Sequence, residues 1–136
     1  MPSDAAQPAR EAGQPRGELS LRTVAMPADT NPAGDIFGGW IMSLMDLAAG
    51  IAASSRAKGR VATAAVSNLS FIQPVKVGDV VCVYTEIART GRSSVTLAVE
   101  TWVLRGGQGS RVRVTAAEFV LVAVDPGGRP RALPDA

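Results

Sequence analysis

GGWIMSLMDLAAGIAASSR, residues 38–56, decides how the rest of the chain is read. Trp40, Ile41, Leu44, Met45, Leu47, Ala48, Ile51 and Ala52 recur at helical spacing. They leave almost no side of the helix polar. A helix that is apolar nearly all round is a buried one, and it needs something to wrap it. The segment starts at Gly38 or Gly39. It stops at Lys58-Gly59-Arg60, where a glycine ends the helix and basic residues face the negative end of its dipole.

Downstream the period changes from 3.6 to 2. Four segments carry alternating β-branched residues: Val61–Gln73, Asp79–Arg89, Ser93–Leu104 and Arg111–Val124. Turns separate them at 74–79, 89–92 and 105–109, each with glycine. Each segment is well beyond the five or six residues of a common strand, and long antiparallel strands twist and curl. Upstream, Leu19–Ala25 reads as a further short strand. The expectation is an α+β domain: a curved antiparallel five-stranded sheet wrapped around one long buried helix, which is the hotdog fold.

Residues 1–17, MPSDAAQPAREAGQPRG, carry no large apolar side chain after Met1 and read as a disordered N-terminal tail. Residues 18–136 are then the folded domain. A chain of 136 residues with 46% hydrophobic and 19% charged residues has the make-up of one globular domain. The longest apolar stretch, Ile41–Ala53, is broken by Ser43 and Asp46 and is too short to span a bilayer. The N-terminus lacks the apolar core of a secretory signal, so a cytoplasmic protein is the expectation. A net charge of +2 without an arginine run or stacking aromatics gives no sign of a nucleic-acid partner.

The chain contains no histidine. That excludes Ser-His-Asp and Cys-His catalysis, imidazole metal sites and histidine bases. One cysteine, Cys82, permits neither an internal disulfide nor a cysteine cluster. Proton chemistry near neutral pH then falls to a carboxylate or a lysine.

The loop MPADTNPAGDIFGG, residues 26–39, runs into the buried helix. Asp35 stands just ahead of Gly38 and Gly39, where a helix start presents unpaired N–H groups and positive partial charge. A thioester carbonyl oxygen bound by those amides has an oxyanion site without side chains, with Asp35 acting on the carbon directly or through water. Local chemistry equally allows Asp35 to be a plain cap or turn residue, and the glycines to serve tight packing. A thiolate, with a thiol pKa of about 8.5, leaves without an acid more readily than an amine does. A histidine-free site therefore suits a thioester better than an amide.

The turn Arg89-Thr90-Gly91-Arg92-Ser93-Ser94 has the guanidiniums, hydroxyls and glycine of a phosphate-holding loop. It is also an ordinary solvated hairpin turn. Arg60 and Lys76 are candidates of the same kind. Asp46, inside the greasy helix, needs a partner or a site, and pairing at a subunit contact is the reading adopted. Cys82, Tyr84 and Trp102 read as packing residues.

Three stretches in order, LRTVAMPADTNPAGDIFGGWIMSLMD, GRVATAAVSNLSFIQPVKVGDVV and TGRSSVTLAVETWV, followed by VAVDPGGRPRALP, resemble the YciA-type bacterial acyl-CoA thioesterases over residues 19–134. The resemblance implies a hotdog fold and hydrolysis of acyl-CoA to free acid and CoA. It implies no metal and no cofactor beyond the CoA of the substrate. It matches Asp35 to the catalytic aspartate, with Asn31 and the Gly38-Gly39 backbone around it. It further implies a dimer with sites between protomers, assembled as a trimer of dimers, in which Thr63 faces Asp35 across the boundary. Gln73 stands where the family often has a basic residue, which removes an ionic contact to CoA from that position. A non-catalytic acyl-CoA sensor on the same fold is the alternative. A hotdog hydratase usually employs a histidine and fits less well.

Overall fold

The computed structural model describes residues 14–105 and 109–136. Five strands and one long helix follow in the order β1 (Glu18–Val24), α1 (Gly38–Ala57), β2 (Val61–Phe71), β3 (Val80–Thr90), β4 (Ser94–Leu104) and β5 (Arg111–Ala123). A single 3-10 turn, Pro27–Asp29, lies in the long connection before α1. All pairings are antiparallel, and the sheet order is β1-β3-β4-β5-β2. Helix α1 touches all five strands, so the sheet wraps it as the periodicity predicts. Most of the tail expected over residues 1–17 lies outside the described residues, as do positions 106–108 of the last hairpin turn. Arg16, counted in that tail, reaches the sheet: its Nε pairs with Glu86 at 3.0 Å and its N–H donates to Glu100 Oε1 at 3.2 Å.

The core lies between the helix and the concave side of the sheet. Met45, Ala48, Ala49 and Ala53 of α1 meet Val81, Val83, Val95, Leu97, Val99, Phe119 and Leu121. The alternation of β3 sends its other residues to the opposite side, where Cys82, Tyr84 and Trp102 form a small second cluster. In one respect the helix differs from the reading above. Leu47 is 57% exposed and Ile51 48%, so one face of α1 is open. A five-stranded sheet covers only part of a helix's circumference, and the remaining apolar stripe needs another surface. Strand β2 is open too. It occupies an edge of the sheet and is exposed along nearly its whole length.

The end of α1 is built by distant residues. Lys58, not Gly59, takes the left-handed conformation (φ 53°) that closes the helix. Gly59 serves close approach instead: a Cβ there would sit 2.6 Å from Arg131 Nη2. That guanidinium donates to Val124 O at 3.2 Å and to Ala57 O at 3.0 Å, the latter placing a cation on a carbonyl at the helix C-terminus. Arg131→Ala is expected to lower unfolding free energy by about 2 kcal/mol. Denaturant titration at fixed protein concentration reads this, and an unchanged midpoint would show the contact to be idle.

Candidate active site

Asn31 organises the loop ahead of α1. Its side-chain oxygen accepts the N–H of Ala33 at 2.9 Å and of Asp35 at 3.1 Å. Its own N–H donates to Asp35 O at 2.6 Å. The loop is tied to the β2–β3 connection by Ile36 N–H on Val75 O at 3.1 Å and by an ion pair between Asp35 and Lys76 Nζ. The Asp35 carboxylate is thus engaged by a lysine at the loop's edge. Lys76, a phosphate candidate by sequence, is the residue that engages it.

Phe37 precedes the helix and offers no capping side chain. The N–H groups of Gly38 and Gly39, at the first two helical positions, have no acceptor within the helix. The two glycines serve different surroundings. A Cβ on Gly38 would stand 3.1 Å from the Phe71 ring, whereas one on Gly39 would meet nothing within 4 Å. Gly38 borders a groove of about 310 Å³ walled by Ile36, Ile41, Phe71, Ile72, Pro74 and Val75. Gly39 borders another, of about 390 Å³, with Met42, Ser43, Asp46, Thr63, Val66 and Phe119.

That second groove brings together residues that the sequence reading kept apart. Gly39, Ser43 and Asp46 stand at i, i+4 and i+7, on one helical face. Thr63, across from them on β2, donates its hydroxyl to Asp46 Oδ1 at 2.5 Å, the short range of a charge-assisted bond. Within the chain, then, Thr63 meets Asp46, while Asp35 lines neither groove. The spacing from Gly39 was the available signal for Asp46. It is lost in a helix where nearly every position is apolar.

The remaining basic candidates divide. Arg60, Arg92 and Ser93 meet at the far end of the helix, stitched together by backbone bonds from Val124 N–H to Arg60 O, Leu133 N–H to Arg92 O and Ala123 N–H to Ser93 O. Lys58 at the helix end and Arg129, joined to Asp125 by its backbone, add two cations not among the phosphate candidates of the sequence. Arg89 is paired with Glu118 at 3.4 Å. Ser94 Oγ packs over Gly91, 2.7 Å from where a Cβ would stand. Gln73 borders the Gly38 groove. At the other end, Asp79 is buried and forked by Arg105, whose guanidinium is held above its usual pKa by that hydrogen bond. Among the described residues no group of three potential ligands is placed to hold a metal ion, and no helix is long and apolar enough to cross a membrane.

A helix N-terminus with free amides, a carboxylate facing a groove and a sheet wrapped around the helix define a hotdog-fold enzyme of acyl thioesters. The chain belongs to the thioesterase superfamily, which matches residues 33–110. It is 52% identical over 123 residues to the acyl-CoA thioester hydrolase YciA of Escherichia coli strain K12, covering 88% of this chain and 93% of that protein. An Asp→Ala mutant of a hexameric broad-specificity acyl-coenzyme A thioesterase superposes with a TM-score of 0.85 at 51% identity, covering 88% of each chain. More distant is an acyl-CoA hydrolase of Staphylococcus aureus, solved in complex with butyryl coenzyme A, coenzyme A and coenzyme A disulfide (TM-score 0.78, 27% identity, 84% of this chain, 70% of that one). Its solved mutants include an Asn→Ala and an Asp→Ala fifteen positions apart.

Proposed function

We propose that this chain hydrolyses acyl-CoA thioesters to free acid and CoA, with Asp46 as the reacting carboxylate. The observation that carries this reading is the Asp46 carboxylate, held by the Thr63 hydroxyl, in a groove that Gly39 also lines. The mutated pair of the S. aureus hydrolase supports the choice of aspartate. Of the two asparagines here, Asn31 and Asn68, only Asn31 is followed fifteen positions later by an aspartate, and that residue is Asp46. Asp35 then serves as an anchor of the loop, held by Lys76, and not as the reacting group.

The thioester carbonyl oxygen lies on the free amides of Gly38 and Gly39, where negative charge develops. Asp46 takes a proton from a water whose oxygen bonds to the carbonyl carbon. The C–S bond breaks as the tetrahedral intermediate collapses, and the thiolate leaves as CoA. Thr63 holds the Asp46 carboxylate in place through its hydroxyl. Gly39 and Asp46 are seven residues apart on one helix, about 10.5 Å along its axis at 1.5 Å per residue. One carbonyl cannot touch both. The separation supports a site completed by a second copy of the chain, two such copies forming the unit of a trimer of dimers. The hexameric relative and the open apolar stripe of α1 fit that arrangement.

The CoA phosphates belong on the cluster of Lys58, Arg60, Arg92, Ser93 and Arg129, with Arg89 and Ser94 at its border. Release of free thiol from a panel of acyl-CoAs tests the activity. Binding without release would favour the sensor instead. Arg60→Ala with Arg92→Ala is expected to raise KM for acyl-CoA at least about 10²-fold, since each charge-assisted contact is worth about 1.5–3 kcal/mol. Acyl-pantetheine, which lacks the nucleotide, should be hydrolysed by the variant as well as by the wild type. An equal KM for acyl-CoA in both proteins would remove the phosphates from this cluster.

A further inference from the structure

We propose that Arg105 and Asp79 form a positioning clamp that sets the amides of Gly38 and Gly39 for catalysis from outside the site. The inference rests on the reading that those amides bind the thioester oxygen. Asp79 is 3% exposed, and its carboxylate receives both Arg105 Nε, at 3.2 Å, and Arg105 Nη2, at 2.8 Å. The same Nη2 donates to Pro74 O at 2.9 Å, and Asp79 Oδ2 accepts the N–H of Lys76 at 2.9 Å. One guanidinium therefore pins both ends of the turn 74–79.

That turn is where the catalytic loop is attached. Val75 O takes the N–H of Ile36, and Lys76 Nζ pairs with Asp35. Ile36 lies two residues before Gly38, and Pro74 and Val75 are walls of the groove that Gly38 borders. The path runs through hydrogen bonds at Asp79, Pro74 O and Val75 O, with the Lys76–Asp35 ion pair beside them. A shift of the turn is carried to the helix start, where misplacement by about 1 Å can cost on the order of 10²-fold in rate. Neither Arg105 nor Asp79 lines either groove, so the clamp acts through the backbone and not on the substrate.

The fork matters as well as the charge. A lysine at 105 keeps the charge but cannot hold Asp79 and Pro74 O together with a planar pair of donors. Two measurements test the clamp on the assembled full-length enzyme. Steady-state kinetics of Arg105→Met should show kcat reduced about tenfold to 10²-fold, with KM within about threefold of wild type, and Arg105→Lys should fall between. Hydrogen exchange without substrate should show faster exchange of the amides of residues 31–39, with the centres of β3 and β4 unchanged.

Arg113→Met is the control. It removes the ion pair with Glu100, away from the loop, and should lower stability while leaving kcat alone. If Arg105→Met fails to fold, Arg105→Lys carries both measurements. Unaltered exchange over 31–39, or wild-type kcat despite a lowered Tm, would overturn the proposal and leave a purely structural pair. Exchange needs no turnover, so a wild type that releases no thiol would sink the hydrolase reading separately.

Discussion

Asp46→Ala is expected to lower kcat at least about 10²-fold, the lower range for loss of a general base, while the protein stays folded and assembled. Asp35→Ala should keep kcat within about tenfold of wild type. Asp35 precedes α1 and Asp46 lies within it, and their settings differ. Asp46 is exposed to a groove and, among the described residues, is bonded to the Thr63 hydroxyl through one carboxylate oxygen, leaving the other for water. Asp35 is engaged by Lys76, and its backbone is fastened to Asn31. Asp46→Ala leaves no buried partner stranded, because Thr63 is itself exposed. Loss of rate can therefore be separated from loss of fold by comparing melting and thiol release on the same sample. Inactive Asp35→Ala beside active Asp46→Ala would reverse the assignment.

Ile51→Asp is expected to split the assembly into smaller species and to take most of the activity with it. Leu47 and Ile51 lie one turn apart on the open face of α1, two large apolar side chains that the described residues leave exposed. Burying such a side chain is worth about 1.5–3 kcal/mol, and burying an unpaired carboxylate in its place costs several more. The combined effect raises the dissociation constant of the contact by at least about 10³-fold. Light scattering across a dilution series reads the mass, and thiol release on the same fractions reads the activity. A hexamer of Ile51→Asp with full turnover would show that this stripe lies outside the interface.

Much of the fold could be read because the periods of the chain are unambiguous. Val81 and Val83 against Cys82 and Tyr84 alternate as β3 does, and the observed strand ends fall within two residues of those expected. The start of α1, expected at Gly38 or Gly39, is at Gly38. The face of the helix could not be read, because an apolar residue at nearly every position gives no direction. That is why Asp46 read as a residue needing structural pairing and Asp35, in a loop rich in turn residues, drew the chemistry. Thr63 lies on a strand and its partner Asp46 on the helix, and the packing of β2 on α1 joins them. The Asp79–Arg105 fork depends on the register of β3 with β4, which fixes Val80 opposite Leu104 and so brings the flanking residues together.

The pairing order of the strands also bears on how the chain is made. β2 follows α1 in the chain, yet its strand partner among the described residues is β5, which ends at Ala123. While a ribosome is still adding β3 and β4, α1 and β2 have no finished sheet to close on. Closure of the sheet over this helix is therefore tied to the synthesis of β5, whose pairing with β2 is non-local. Chains released before β5 would display an apolar helix and an unpaired strand together, the surface that chaperones and proteases recognise.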